Sequence, residues 1–255
     1  MTVLGILQAR VSSSRLPGKA LKPLLGQPML ARQIERLRRV KAWSKLVVAT
    51  STDAADDAIA DLCRTLDIGC HRGPLDDVLA RFWQAARAER AQHVVRLTGD
   101  CPLADPALID RVIACHLASG ADYTSNCLIP SYPDGLDVEA MRWPTLDAAH
   151  HEAVSVAERE HVTLFIRRRR DRFVCENIAA SEDLSALRWT VDEAEDLALV
   201  EAIYAALYPR NPAFATADIL AWLARHPAWR TYNVRHRRNA GLDRALAAEA
   251  AQGRH

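Results

Sequence analysis

The chain predicts a single α/β domain, and three observations carry that reading. Short apolar runs alternate with amphipathic stretches along most of the 255 residues, the order that lays strands and crossover helices into one sheet. The runs at 3–7 and 46–50 are mostly apolar without alternation, as strands buried on both faces are, and 93–97 reads as a further strand. A chain of this length also buries one large core without needing a second unit.

Composition narrows the function classes. Lys and Arg number 33 against 32 Asp and Glu, a formal net charge of +1, so no overall field draws the protein to nucleic acid or to an anionic membrane. Any anion is bound locally. The six cysteines, Cys63, Cys70, Cys101, Cys115, Cys127 and Cys175, show neither Cys-x-x-Cys pairing nor zinc-site spacing with His, and reduced thiols are expected. The N-terminus lacks a basic leader, and no apolar stretch approaches the roughly 20 residues of a membrane span. These features argue for a cytoplasmic protein, without secretion or membrane insertion.

The run at 3–7 reads as a buried strand, and the amphipathic segment at 29–40 as a helix. Between them lies a loop carrying Arg10, Arg15 and Lys19, the hydroxyls of Ser12, Ser13 and Ser14, and the pair Pro17-Gly18. Such a loop belongs at the carboxyl end of a strand, where open α/β sheets bind ligands. It suits a polyphosphate: the cations neutralise phosphate oxygens, hydroxyls and backbone N–H groups donate to them, and Gly18 lets the backbone come close. A solvated basic loop is the competing reading. A Walker A loop is excluded, because Ser13 and Ala20 stand where its first Gly and its Ser or Thr belong. The glycine fingerprint of dinucleotide-binding folds is missing as well.

Further along, 46–50 reads as a second strand, 53–66 as its crossover helix and 68–71 as a third strand. Pro74 suits the first turn of a helix whose apolar face holds Val78, Leu79, Phe82 and Ala86, with Asp76 and Asp77 complementing the helix dipole. The strand at 93–97 ends in Thr98-Gly99-Asp100-Cys101-Pro102. Asp100, in a fixed turn at the same sheet edge as the cationic loop, is a metal-ligand candidate, since a carboxylate is the hard oxygen donor that Mg²⁺ takes. Closing the turn is its alternative role.

Asp105 and Pro106 open a helix as N-cap and first residue, and Gly120 closes it. A strand at 121–126 leads to a breaker-rich loop at 129–135, expected to be a lid or substrate wall. Residues 136–139 alternate apolar and acidic, as in a half-exposed strand with Asp137 and Glu139 toward solvent. A short helix at 143–151 follows. Ser155 and Glu158 then form a capping box opening a longer helix that carries Glu160 and His161. His161 could serve as a base or orient a carboxylate; a structural role is the alternative. The four arginines at 167–170 are assigned to the dipole and solvent at that helix's end.

Strands are expected at 173–178 and 187–191. The second ends in Asp192, which repeats the geometry of Asp100, with a helix N-cap as the competing reading. The following helix carries Leu197, Val200, Ile203 and Leu207, and a last one at 216–225 is capped by Thr216. The domain is expected to span 1–233, with a basic and alanine-rich tail at 234–255 acting as a dimer arm or mobile tail.

The pattern Arg-x-x-Ser-x-Arg-Leu-Pro-x-Lys, present as Arg10, Ser13, Arg15, Leu16, Pro17 and Lys19, resembles the cytidylyltransferases that activate acidic sugars, notably the 3-deoxy-manno-octulosonate (Kdo) enzymes. With the segments at 96–103, 132–139, 158–163 and 188–192, the chain is similar, from about residue 3 to about residue 200, to the spore-coat polysaccharide biosynthesis protein F family. That resemblance implies a three-layer α/β/α, nucleotide-diphospho-sugar transferase-like (GT-A-like) fold with a mostly parallel mixed central sheet. It implies a nucleotide site of Gln8, Ala9, Arg10, Ser13, Arg15, Lys19, Arg72 and Thr98, with Lys19, Arg15 and Asp100 catalytic. Asp100 and Asp192 would hold Mg²⁺. Asp137, Glu139, Arg159, Glu160 and His161 fall on the acceptor side. The implied activity is transfer from CTP to a small acidic acceptor with release of pyrophosphate, in a homodimer. Three alternatives stand beside it: a glycosyltransferase, for which Asp100-Cys101-Pro102 supplies no Asp-x-Asp motif; a cytidylyltransferase acting on a phosphonate or other acid; and a nonenzymatic nucleotide-binding module, against which the intact acids and cationic loop argue.

Overall fold

A computed structural model of the protein describes residues 1–13 and 15–252. Ser14, one of the expected loop hydroxyls, and residues 253–255 of the expected tail lie outside the described residues. The strands are β1 (Val3–Gln8), β2 (Pro23–Leu24), β3 (Gln27–Pro28), β4 (Lys45–Ser51), β5 (Gly69–Gly73), β6 (His93–Thr98), β7 (Tyr123–Ser125), β8 (Glu139–Arg142) and β9 (Cys175–Asn177). The α-helices are α1 (Met29–Leu37), α2 (Asp57–Thr65), α3 (Val78–Ala88), α4 (Pro106–Ser119), α5 (Trp143–Glu152), α6 (Val156–Glu160), α7 (Leu164–Arg168), α8 (Ala194–Leu207), α9 (Thr216–Arg225), α10 (Pro227–Arg230) and α11 (Ala240–Gln252).

Seven strands form one sheet in the order β5-β4-β1-β6-β8-β7-β9, and β2 pairs only with β3 in a small ribbon. Every pairing in the large sheet is parallel except those of β8, which runs antiparallel to both β6 and β7. The reason for the parallel half is visible in β1: Val3 and Leu7 pack on one face, Leu4 and Ile6 on the other, and all four are buried. One core holds the apolar sides of α1, α2, α4, α8 and α9; the other holds those of α3, α5 and α7. Helices on both faces of a mixed, mostly parallel sheet are the predicted three-layer architecture.

Local chemistry moves several expected boundaries. Helix α3 begins at Val78 with Asp77 as N-cap, its carboxylate accepting from the Ala80 N–H at 2.9 Å, so Pro74 lies in the preceding loop and not in the first turn. The expected helix at 53–66 starts with a 3₁₀ turn, Ala54–Asp56, before α2. Thr216 is not the cap of α9: Ala215 holds that position, and the Asp218 carboxylate accepts its N–H at 2.8 Å. The expected long helix after Ser155 breaks into α6 and α7, with His161 at the C-cap of α6. Residues 187–191 form no strand, making only an isolated bridge from Arg188 to Asp134. All six cysteines are free thiols. No helix among the described residues is long and apolar enough to cross a membrane.

The packing also buries a histidine pair. His116 on α4 is 1% exposed, with Nδ1 3.1 Å from Thr124 Oγ1 and Nε2 3.0 Å from His93 Nδ1. Burial, aided by the neighbouring His93 and Arg142, lowers its pKa from 6.5 to about 4. A folded pKa below the unfolded one means that the neutral imidazole's contribution to stability is whole above about 6.5 and is lost as pH falls toward 4. The melting temperature should therefore drop across that window, and His116→Gln should flatten the drop. An unchanged pH profile in the variant would show that His116 does not carry it.

Candidate functional site

A cavity of about 590 Å³ opens at the carboxyl ends of β1 and β6, lined by Gln8 and Thr98 from the two strand ends. It is the place at which open α/β sheets take ligands. The loop after β1 is anchored by its backbone. The Ala9 N–H donates to Ala49 O at 3.1 Å, Gly18 N–H donates to Val11 O at 3.1 Å, and Val11 N–H donates to the buried Asp56 carboxylate at 2.6 Å. Gly18 adopts φ +69°, a left-handed turn that starts the single 3₁₀ turn Lys19–Leu21 and aims Lys19 inward.

Lys19 Nζ sits between two carboxylates, 3.0 Å from Asp100 Oδ2 and 2.8 Å from Asp192 Oδ1, and donates also to Val191 O at 2.8 Å. Burial opposes its charge, but the two acids outweigh burial and hold its pKa above the ordinary lysine value. Asp100 shows the converse. Burial would raise its carboxyl, yet Lys19 and the Thr98 hydroxyl, which donates to Oδ1 at 2.6 Å, pull it well below the usual carboxylate range. Arg15 adds a bond to Asp192 Oδ1 at 2.9 Å and faces Glu193 at 3.5 Å.

Asp192 reaches this position because its segment is sewn to two loops. Val191 N–H donates to Asp100 O at 2.8 Å, and Thr190 N–H donates to Asp134 O at 2.9 Å. Gly135 permits the second contact: at φ +105°, a Cβ there would stand 2.4 Å from Thr190 N. Beneath lies Arg188, its side chain 5% exposed, which donates to Asp134 at 2.8 Å, Asp192 at 3.1 Å and Asp196 at 3.0 Å. Burial would lower its pKa, but Asp196, Asp134 and Asp192 together raise it. Asp196 in turn accepts the N–H groups of Asp192 and Glu193, at 2.9 and 3.0 Å, at the start of α8.

The other half of the cavity is built around Glu139, which is buried rather than solvent-facing as expected. Arg96, Tyr123 and Thr163 all donate to its carboxylate, and Arg96 also donates to Gln8 Oε1 at 3.1 Å. Burial would raise the Glu139 pKa; Arg96, Arg167 and these hydroxyls lower it. Asp137 is pushed up to about 7 by burial, although Arg238 opposes the shift with an ion pair. His161 lines the cavity with a buried Nε2 that has no hydrogen-bond partner among the described residues, and burial lowers its pKa. The shift disfavours the cation that would grip a carboxylate by charge.

Of the predicted residues, Gln8, Ala9, Arg10, Ser13, Arg15, Lys19, Thr98, Asp100, Asp137, Glu139, Glu160, His161 and Asp192 line this one cavity. Two do not. Arg72 is spent on Ser51 O, Asp53 O and Asp57, and Arg159 pairs with Asp77 and donates to His150 O at 2.6 Å. The sequence reading missed Arg96, Arg167 and Arg188, and residues 239–242, 244 and 245 of the C-terminal segment, all of which line the cavity. Arg96 and Arg188 had a signal, since each opens one of the motif segments.

A family profile described as cytidylyltransferase matches residues 4–205. The spore coat polysaccharide biosynthesis protein SpsF of Bacillus subtilis is 34% identical over 232 residues, covering 88% of this chain and 95% of that protein. A 3-deoxy-manno-octulosonate cytidylyltransferase of Geobacter sulfurreducens is 34% identical over 116 residues, 45% of each chain. The solved structure of a cytidylyltransferase from Leptospira borgpetersenii superposes with a TM-score of 0.87 at 27% identity, covering 91% of this chain and 98% of that one. A CMP:2-keto-3-deoxy-manno-octonic acid synthetase complexed with CTP shares the fold, with a TM-score of 0.59 at 18% identity, over 80% of this chain and 99% of that one.

The Arg188 cluster makes a stability prediction. Removing one partner of a buried ion pair strands the others, at a cost of about 3–5 kcal/mol. Arg188→Ala should lose that much in urea unfolding, because Asp196, fully buried, keeps its charge without its partner. A loss below about 1 kcal/mol would mean that the cluster is solvated and relaxed.

Proposed function

The chain belongs to the cytidylyltransferase family, and from that premise we propose that it transfers CMP from CTP to a hydroxyl of an acidic sugar. Family membership makes it a CTP-dependent nucleotidyltransferase; the acidic sugar and the residue roles are our reading. The observation that carries it is Lys19 held between Asp100 and Asp192 at the sheet edge, with Arg15 on the same acid.

In this reading the acceptor oxygen attacks the α-phosphorus of CTP, the bond from that phosphorus to the bridging oxygen breaks, and pyrophosphate leaves. Such transfers need positioning and charge neutralisation more than covalent help. Arg10, Arg15 and Lys19 neutralise the phosphates, and the N–H groups of the loop orient them. His161, its Nε2 unpartnered among the described residues and its protonated form disfavoured by burial, takes the proton of the attacking hydroxyl in this reading.

The residues present fit a divalent cation. Around Lys19, Arg15 and Arg188 stand five carboxylates, those of Asp100, Asp134, Asp192, Asp196 and Glu193, so the cluster carries an excess of negative charge. No group of three or more His, Cys, Asp or Glu converges as a metal cage among the described residues, and Mg²⁺ is commonly held by one or two carboxylates plus substrate phosphates. Asp100 and Asp192 would hold it. When bound, it would supply charge neutralisation to the triphosphate.

Loss of a charge-assisted contact costs about 1.5–3 kcal/mol. Lys19→Ala should therefore weaken CTP binding roughly tenfold or more in calorimetry, and Asp100→Asn and Asp192→Asn should abolish pyrophosphate release in the presence of Mg²⁺ while the proteins stay folded. Parent-like CTP affinity in the lysine variant, or parent-like turnover in either asparagine variant, would remove that residue from the reaction.

A further inference from the structure

The C-terminal segment, which lies beyond the matched residues 4–205, returns over the cavity. At one end Arg238 pairs with Asp137 and donates to Tyr132 O at 3.0 Å. At the other, Glu249 pairs with Arg168 at 2.8 Å, and α11 packs against α6. The segment from Arg238 through α11 thus runs from the 132–137 loop to the α6–α7 pair, and Asn239, Gly241, Leu242, Arg244 and Ala245 line the cavity. These are the elements that frame the half away from the β1 loop.

Seven arginines line the cavity, and their bonding separates them. Arg15, Arg81, Arg96 and Arg188 are fixed by protein acceptors. Arg10, Arg167 and Arg244 have no hydrogen bond from the guanidinium to any group among the described residues. Arg10 belongs to the phosphate loop, and Arg167 acts on Glu139 through space, its pKa raised against burial by that acid. Arg244 makes no ion pair among the described residues.

We propose that α11 is a wall of the acceptor subsite and that Arg244 on it, with Arg167 of the same lining, binds the anionic group of the acceptor. The proposal deepens the cytidylyltransfer reading and rests on it. A planar guanidinium forks onto a carboxylate with two parallel bonds, and of the acids lining this half Asp137 and Glu139 are already engaged by Arg238 and Arg96, leaving Glu160 as the one without an ion pair among the described residues. An anion arriving here meets unspent positive charge. Arg238 is a positioning residue, holding the start of the helix on Asp137.

The test titrates the full-length protein, saturated with CMP, with 3-deoxy-manno-octulosonate and with glucose as the neutral probe, by calorimetry. The parent should bind the acid and not glucose. Arg244→Ala should bind the acid tenfold or more weakly, Arg244→Lys should recover part of the loss, and CMP affinity should stay constant in both. Arg238→Ala should weaken the acid in the same direction with CMP affinity unchanged. Equal acid affinity in parent and Arg244→Ala, or no acid binding by the parent, overturns the proposal. Pyrophosphate release by the parent with CTP and a panel of sugar acids is read separately. An acid site that needs Arg244 in a protein releasing no pyrophosphate sinks the transfer reading alone, whereas release with acid affinity indifferent to Arg244 sinks the helix proposal alone.

Discussion

One ammonium group ties the site together. Lys19 bonds to acids 81 and 173 residues further along the chain, so the loop after β1, the turn after β6 and the segment before α8 must all be folded before the three charges compensate one another in full. Isolated, each would carry the desolvation cost of a buried or half-buried ion. Together, with Arg188 below Asp192, they satisfy one another. The arrangement contributes little net stability by the usual balance of Coulomb gain against desolvation, but it fixes geometry, because no member can move without stranding another.

The fold was legible where the physics is local and repetitive. Strand β1 and most of β4 are apolar runs buried on both faces, and the Asp105, Pro106 and Gly120 boundary of α4 follows from capping chemistry alone. The fold was illegible where tertiary contacts set the boundary. Nothing near Pro74 in sequence says that Asp77 will cap α3 and also hold Arg159, a residue 82 positions away. Leu187 to Val191 has the composition of a strand, but its backbone groups are used to dock on Asp100 and Asp134, which leaves it irregular and places Asp192.

The site was legible in its acids and its loop and less so in its arginines. Asp100 and Asp192 announce themselves as carboxylates ending apolar runs. An arginine's reach is about as long as a helix turn is high, so sequence position says little about where its guanidinium lands. Arg72 and Arg159 point to local acceptors away from the cavity, whereas Arg96 and Arg188 turn inward to Glu139 and the aspartates. The run at 167–170 looked uniform and is not: Arg167 lines the cavity, while Arg168 and Arg169 bind Glu158. Only the neighbours distinguish them.

The two halves of the cavity differ in construction, and this bears on how one scaffold could serve different acceptors. The half that holds the loop after β1 is made from strand ends and from a loop whose N–H groups bond to β4 and Asp56. The other half is made from the 132–138 loop, the α6–α7 junction and a helix clasped at two points. At that junction Val162 adopts φ +37°, a region that a β-branched residue enters only at a cost of order 1–3 kcal/mol. The strain is tolerated because Val162 is fully buried and its neighbour Thr163 is fastened to Glu139. It turns the chain so that both His161 and Thr163 line the cavity. A triphosphate presents the same groups whatever the acceptor, and rigid strand ends suit it. An acceptor that varies in shape is better met by segments whose side chains can be exchanged without disturbing the sheet.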